Sequence, residues 1–119
     1  MKCHLTDKGA FLLFTVTGVF SETENFSVIK NIIAECRLHN KFSVFVDMRS
    51  VDLSSLTFTN RVNIAKALSE INERKIRWAT VVKAEFISPG GITQLMAENR
   101  GANYHTFSDE NEALKWLIA

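Results

Sequence analysis

The amino-acid sequence predicts an α/β fold with a mixed, mostly parallel sheet, and two observations lead to this fold class. Short apolar runs rich in β-branched and aromatic residues alternate with longer segments whose apolar residues recur at helical spacing. The first two predicted strands are joined by a tight turn and form an antiparallel hairpin, whereas the later strands are separated by helices and pair in parallel. The predicted order is β-β-α-β-α-β-α-β-α.

The N-terminal hairpin has the arms Lys2 to Thr6 and Ala10 to Val19. They are joined by Asp7-Lys8-Gly9, in which glycine supplies the positive φ that a three-residue loop needs. Strand alternation assigns one set of residues to the better-buried face: Leu12, Phe14 and Val16. The opposite face carries Phe11, Leu13, Thr15 and Thr17. Because an uncovered apolar face usually marks an interface, we expect a homodimer.

A helix and a buried strand follow the hairpin. Ser21 and Glu24 have the spacing of a capping box, which predicts a helix that continues to about Leu38. A run of valine and phenylalanine then predicts a strand buried on both faces, from Ser43 to Met48. Polar residues from Asp47 onward mark its end.

A second helix is predicted from about Leu56 to Arg74, with Ser54 or Ser55 as its N-cap. Its first turns therefore lie next to the carboxyl end of the buried strand. Helical spacing assigns the inward stripe to Phe58, Val62, Ala65, Leu68 and Ile71.

The remainder of the chain repeats the alternation of strand and helix. Ile76 to Val82 is a strand, and Ser88 to Arg100 is a helix with proline at its first position. Tyr104 to Phe107 is the last strand. Asp109 or the serine before it caps a final helix whose apolar residues are Ala113, Leu114, Trp116 and Leu117.

Length and charge limit the function classes. A chain of 119 residues forms one domain, and we assign residues 1–119 to it. A net charge of +1 provides no field that would attract nucleic acid, so no nucleic-acid partner is expected. No stretch approaches the roughly 20 apolar residues that cross a bilayer, so no transmembrane segment is expected either. We expect a soluble, unprocessed protein.

The residues that carry metal and catalytic chemistry do not cluster in the sequence. Cys3 and Cys36 are far apart, which fits the reducing cytoplasm, and the three histidines share no metal-ligand spacing. No nucleophile motif is present. We therefore expect no metal, no cofactor and no enzymatic activity.

The candidate site lies where the buried strand ends, because ligands and partners of open α/β sheets bind at the carboxyl ends of strands. An apolar arc on the second helix also contains an arginine, which must reach water or a carboxylate. The residues assigned to this partner or ligand surface are Asp47, Arg49, Asp52, Ser54, Ser55, Phe58 and Arg61.

Several of these residues have more than one interpretation. Asp47 is a catalytic group, a ligand contact or a loop anchor that accepts backbone N–H groups, and we favour the anchor. For Arg61 we favour an internal ion pair with Asp47 or Asp52 over an anion site. The helix start with Ser88, Gly90 and Gly91 is a possible anion site, although a plain helix start explains it as well.

The pattern of strands and the C-terminal ending YHTFSDENEALKWL resemble the SpoIIAA-like family of STAS-type domains. The most specific part is a phenylalanine, an acidic cap and Ala-Leu-x-Trp-Leu (Phe107, Asp109, Ala113, Leu114, Trp116, Leu117). The resemblance implies a mixed sheet flanked by helices, relatives that act as regulatory modules, such as anti-sigma-factor antagonists, and structural kinship with CRAL-TRIO lipid-binding domains. It also implies phosphorylation of Ser54 or Ser55, although Leu53 and Leu56 depart from the family's Asp-Ser-Ser/Thr-Gly motif.

Two functions follow as expectations. The first is a non-enzymatic regulatory or scaffolding module that binds a protein partner through the surface around Asp52 to Phe58. The second is a carrier of a small apolar or lipid-like ligand, which rests on the CRAL-TRIO kinship and on phenylalanines that could line a pocket: Phe11, Phe14, Phe20, Phe26, Phe42 and Phe58.

Overall fold

The computed structural model describes residues 1–71, 75–87 and 103–119, which form a five-stranded sheet flanked by helices. The strands β1 to β5 lie side by side in chain order. β1 and β2 pair antiparallel, and every later pair is parallel, so the predicted mixed sheet is confirmed. The strands are Lys2–Asp7, Leu12–Val19, Ser43–Asp52, Arg77–Val81 and Asn103–Phe107.

Three helices are described: α1 is Glu22–His39, α2 is Phe58–Ile71 and α3 is Glu110–Ile118. A short 3₁₀ turn, Ala84–Phe86, follows β4. The predicted helix from Ser88 to Arg100, with its possible anion site at Ser88, Gly90 and Gly91, lies outside the described residues.

Side-chain caps mark the helix starts, and two were predicted correctly. The Ser21 hydroxyl accepts from the Glu24 N–H at 3.4 Å, and the Asp109 carboxylate accepts from the Asn111 N–H at 2.7 Å. The cap of α2 was predicted wrongly. It is Thr57, whose hydroxyl accepts from the Asn60 N–H at 3.0 Å.

Ser54 does not cap α2, because its hydroxyl is hydrogen-bonded to Asp52 and the helix begins only at Phe58. One carboxylate oxygen of Asp52 accepts from both the N–H and the hydroxyl of Ser54, at 2.9 and 2.6 Å. The turn closes when the Leu56 N–H donates to the Leu53 carbonyl at 3.0 Å. The chain therefore completes a turn of its own before the helix begins at Phe58.

The central strand β3 is longer than predicted and continues to Asp52. Its partner β2 extends to Val19, which lies opposite Asp52. β3 contains one extra residue along the way, since Thr15 lies opposite Asp47 but Thr17 lies opposite Ser50. Asp47 is thus inside a strand, next to this bulge, and not in a loop.

Each face of the sheet is covered by its own helices. The α1/α2 face carries the larger core, which includes the predicted hairpin residues Leu12, Phe14 and Val16. The α3 face carries a smaller core of Phe45, Ala79, Val81, Ala113 and Leu117. Phe11 and Leu13 pack beside this smaller core and are half-buried, so the hairpin face is partly covered.

The inward stripe of α2 differs from the prediction at its first residue. Ala65 and Leu68 are buried, Val62 is half-buried, and Phe58 is 64% exposed. Phe58 is the first residue of the helix and lies one turn outside the packed region. The side chain of Ile71 lies outside the described residues.

Candidate functional site

A cavity of about 230 Å³ lies on the α1/α2 face of the sheet, beside the first turns of α1 and α2. Eight of its described lining residues are apolar, and these come from strands, helices and the connections after β2, β3 and β4. They are Phe20, Met48, Leu53, Leu56, Ile64, Val82, Phe86 and Ile87. The prediction that six phenylalanines line a pocket is therefore mostly wrong for this cavity, because Phe20 alone of the six lines it.

Polar groups of the cavity wall lie at defined positions within this apolar lining. Thr80 on β4 is buried and accepts from the indole N–H of Trp78 at 3.0 Å. On β5, the Thr106 hydroxyl donates to the Tyr104 hydroxyl at 3.2 Å. Asn25 and Arg61 complete the described polar lining.

Asn25 is a buried polar residue that the sequence analysis missed. It lies in the first turn of α1 and is 5% exposed. No group in the described part of the chain hydrogen-bonds to its side-chain amide. A signal for it exists in the sequence, because Asn25 precedes Val28 and Ile29 by three and four residues and so falls on the buried stripe of the helix.

Arg61 lies on the cavity wall and not in an ion pair. Its guanidinium donates to the Phe86 carbonyl at 3.0 Å, across the cavity mouth from α2. The favoured pairing with Asp47 or Asp52 is wrong. Asp47 lies on the other face of the sheet and binds Arg49, and Asp52 binds Ser54.

The starts of α1 and α2 are held together beside the cavity. The Glu22 carboxylate in the first turn of α1 accepts from the side-chain amides of Asn60 and Asn63 on α2. Asn25 and Arg61 each follow one turn inside these helix starts. Two helix N-termini, which carry partial positive charge, therefore border the cavity.

On the α3 face, Asp47 and Arg49 form a forked pair at the β3 bulge. Arg49 donates from Nε and Nη2 to the two oxygens of Asp47, at 3.0 and 2.9 Å, and its backbone N–H donates at 3.0 Å. These bonds hold the pKa of Asp47 below its usual value. Glu110 of α3 lies 3.8 Å from the same guanidinium. Asp47 therefore accepts a backbone N–H, as the anchor interpretation expected, but it does so within β3 and not in a loop.

The connection between β3 and α2 is exposed on its outer side. Asp52, Ser54 and Ser55 are exposed, whereas Leu53 and Leu56 point inward to the cavity. Hydrogen bonds from the Ser54 hydroxyl and N–H hold the pKa of Asp52 below its usual value. The stretch from Asp52 to Leu56 thus forms an outer surface and an inner wall.

The predicted site residues therefore do not form one cluster. Asp47 and Arg49 lie on the α3 face, Arg61 lines the cavity on the α1/α2 face, and the remaining residues lie on the exposed connection. Burial raises the pKa of the Cys3 thiol, which keeps it protonated and poorly nucleophilic.

The described part of the chain contains neither a membrane-spanning helix nor a metal-binding group of side chains. No helix there is long and apolar enough to cross a membrane. No group of histidine, cysteine and acidic residues in the same part of the chain could hold a metal ion.

Comparisons with solved structures decide the fold type. An anti-sigma factor antagonist from Mycobacterium paratuberculosis is similar with a TM-score of 0.62 at 12% identity, over 99% of this chain and 94% of that one. An uncharacterised DUF3478-family protein from Shewanella loihica, described as having a SpoIIAA-like fold, is similar with a TM-score of 0.51 at 15% identity, over 98% and 92%. The fold is SpoIIAA-like. No family model matches the sequence, and no curated protein is significantly similar to it.

The SpoIIAA-like fold confirms the structural part of the resemblance predicted from the C-terminal motif. At these identities the likeness concerns the path of the backbone and leaves the side chains of the site to be argued from this chain.

Proposed function

We propose that this chain is a non-enzymatic regulatory module that binds a protein partner. The binding surface is the β3–α2 surface, which we define as Val19, Asp52, Ser54, Ser55 and Phe58. The similar structure from Mycobacterium paratuberculosis is an anti-sigma factor antagonist, which supports a regulatory role for this fold.

One observation carries this proposal: Phe58 is 64% exposed at the start of α2. Val19, which lies opposite Asp52 in the sheet, is 62% exposed. Apolar side chains beside an exposed acidic group and two hydroxyls match the composition of a binding patch, in which an aromatic anchor is surrounded by a polar rim.

The surface also suggests which serine would accept a phosphate. The Ser54 hydroxyl is bound to the Asp52 carboxylate, so a phosphate there would meet a like charge and break the turn. Ser55 is exposed, and its hydroxyl has no partner among the described residues. We therefore propose Ser55 over Ser54. Neither serine caps α2, so a phosphate at Ser55 would change the charge of the surface without altering a helix cap.

Photo-crosslinking in the native host tests the partner-binding proposal. A photoreactive phenylalanine analogue at position 58 should trap a defined protein, whereas the same analogue at Leu38 should not. Leu38 is the matched control because it is 77% exposed and lies near the far end of α1. Equal trapping at both positions, or none at 58, would contradict the proposal. Ser55→Glu should weaken the specific crosslink.

The homodimer stays a prediction. Phe11 and Leu13 are half-buried against the α3 core, which leaves Thr15 and the exposed Thr17 as the more open part of that face. Light scattering at high micromolar concentration measures the mass directly, and a monomer mass would rule the dimer out.

A second candidate function, a carrier of a small apolar ligand, rests on the cavity. Its described lining is mainly apolar, and its volume of about 230 Å³ exceeds the ~150 Å³ of an engineered cavity that binds benzene. Native mass spectrometry of protein from its own host should then show a retained organic molecule.

A further inference from the structure

We propose that the cavity binds a small carboxylic acid with an apolar body, and that Arg61 binds its carboxylate. This inference rests on the carrier function and names the chemical class of the ligand. Three features carry it: the hydrogen-bonding state of Arg61, the buried amide of Asn25, and the balance of charge and size in the cavity.

The guanidinium of Arg61 has hydrogen-bonding capacity to spare. It has five N–H donors, of which one donates to the Phe86 carbonyl. The others have no acceptor among the described residues, and no described carboxylate pairs with this half-buried cation. A guanidinium offers a planar fork that matches a carboxylate, and such charge-assisted bonds are roughly twice as strong as neutral ones.

Asn25 provides the second, independent observation. The residue is 5% exposed and lines the cavity, and its side-chain amide has no partner in the described chain. Buried polar groups in folded proteins are almost always hydrogen-bonded, and leaving one unpaired costs about 1–3 kcal/mol. A ligand with a polar end group would satisfy this amide.

Charge and size then select the class of ligand. Arg61 is the one charged side chain in the described lining, so a ligand with a single negative charge balances it, whereas a phosphate would bring about two charges. The volume of about 230 Å³ suits a benzene-sized ring with a short side chain or a short alkyl chain. Both criteria point to a small apolar monocarboxylate.

Calorimetric titration with octanoate and with its neutral analogue octanamide tests the proposal on the full chain. The parent protein should bind octanoate at one site and more tightly than octanamide. Arg61→Gln should weaken octanoate binding roughly 10- to 100-fold and leave octanamide binding unchanged. Lys66→Gln is the matched control, because it removes the same charge from an exposed position on the same helix and should change neither affinity.

Two further variants keep the test informative. If Arg61→Gln does not fold, Arg61→Lys retains the charge without the planar fork and should give an intermediate loss. Ile64→Trp fills the cavity and should abolish binding of both probes, which locates the site. Unfolding in urea confirms that each variant is folded.

The outcomes separate this inference from the carrier function. Equal binding of the two probes, or octanoate binding that survives Arg61→Gln, overturns the role of the carboxylate but leaves a carrier of neutral ligands. Octanoate binding that survives Ile64→Trp overturns the assigned location. A parent protein that binds neither probe overturns the inference and the carrier function together.

Discussion

The two faces of the sheet differ in their cores, because the core on the α1/α2 face contains a cavity. On the α3 face, which we call the closed face, Phe45, Val81 and Leu117 are almost fully buried in a small apolar core. On the α1/α2 face, a larger core surrounds a cavity into which an unpartnered asparagine and a half-buried arginine project. Protein interiors are normally close-packed and hydrogen-bonded. The cavity and the unpaired amide therefore make the α1/α2 face an exception.

This difference indicates which face serves stability and which serves function. On the α3 face, buried apolar side chains form a core in which no cavity with unpaired polar groups is described. The open volume and the unpaired amide of Asn25 on the other face are then features that stability alone does not explain, and such departures concentrate at functional sites.

The largest expected effect concerns the closed face. Leu117→Ala removes a side chain that is 3% exposed, and we expect the free energy of unfolding to fall by about 2–5 kcal/mol. Ile64→Ala is the comparison on the cavity side. This side chain is half-buried beside existing space, so we expect its loss to be smaller than that of Leu117→Ala by about 1 kcal/mol. Urea unfolding of both variants measures the difference. Equal losses would show that the two faces are packed alike.

Trp116→Ala should have the next largest effect, about 2–3 kcal/mol, because the ring is half-buried and not fully buried as a core tryptophan would be. The Arg77 guanidinium lies 3.9 Å from the Trp116 ring centre, and His105 and Phe107 contact the same ring. Trp116→Phe keeps an aromatic surface for this cation and should recover part of the loss. Thermal and urea unfolding measure both variants, and a loss below 1 kcal/mol would make α3 peripheral.

The order of elements and the two outer caps were predictable because each depends on local spacing. The tight turn of the hairpin and the alternation of strands with helices predicted the mixed pairing of the sheet. Ser21 is the cap candidate for α1, and the two candidates for α3, Ser108 and Asp109, are adjacent in the sequence. The start of α2 was not predictable in the same way. Ser54, Ser55 and Thr57 are all good caps by residue type. Contacts of the folded chain distinguish them, because Ser54 binds Asp52 and Thr57 accepts the Asn60 N–H.

Among the predicted site residues that the structure describes, only Arg61 lines the cavity, so the arrangement of the site was not predicted. Asp47, Arg49 and Arg61 are polar residues near one strand end, and their types are consistent with an ion-pair cluster. Pairing with β2 extends β3 past Asp47. Asp47 lies on the α3 face with its partner Arg49, whereas Arg61 of α2 lines the cavity on the opposite face. Asn25 was missed because a single polar residue in an apolar stripe is a weak signal without its surroundings.

Asn25→Leu tests the comparison on the α1/α2 face, where Asn25 lines the cavity. Leucine has the same branched shape and no polar atoms, and the adjacent cavity provides space for its larger volume. The variant removes an unpaired buried amide and should raise the free energy of unfolding by about 1–2 kcal/mol. The gain should come with weaker octanoate binding, as expected when a site sacrifices stability for function. Asn31→Leu on the same helix is the control. Asn31 is exposed and its side chain hydrogen-bonds to Cys3, so this variant should not gain stability. A loss of stability in Asn25→Leu would show that the amide has a structural partner and would remove one support of the ligand site.

The smallest expected effect is a pH dependence on the closed face. Hydrogen bonds from the Arg49 guanidinium, opposed by partial burial, hold the pKa of Asp47 below its usual value, so at pH values near 4 the folded protein binds fewer protons than the unfolded chain. Stability from this pair is therefore fully present above the unfolded pKa and is lost as the pH falls through the lower folded pKa.

Because the pair is partly exposed, we expect it to contribute at most about 1 kcal/mol. The double-mutant cycle of Asp47→Asn and Arg49→Gln, measured by urea unfolding, should show a favourable coupling at pH 7 that disappears at pH values below the folded pKa. A coupling that grows as the pH falls would reverse the sign and refute the assignment. A coupling well above 1 kcal/mol would instead show that the bulge pair is a structural centre of the α3 face, as important to it as the apolar core around Leu117.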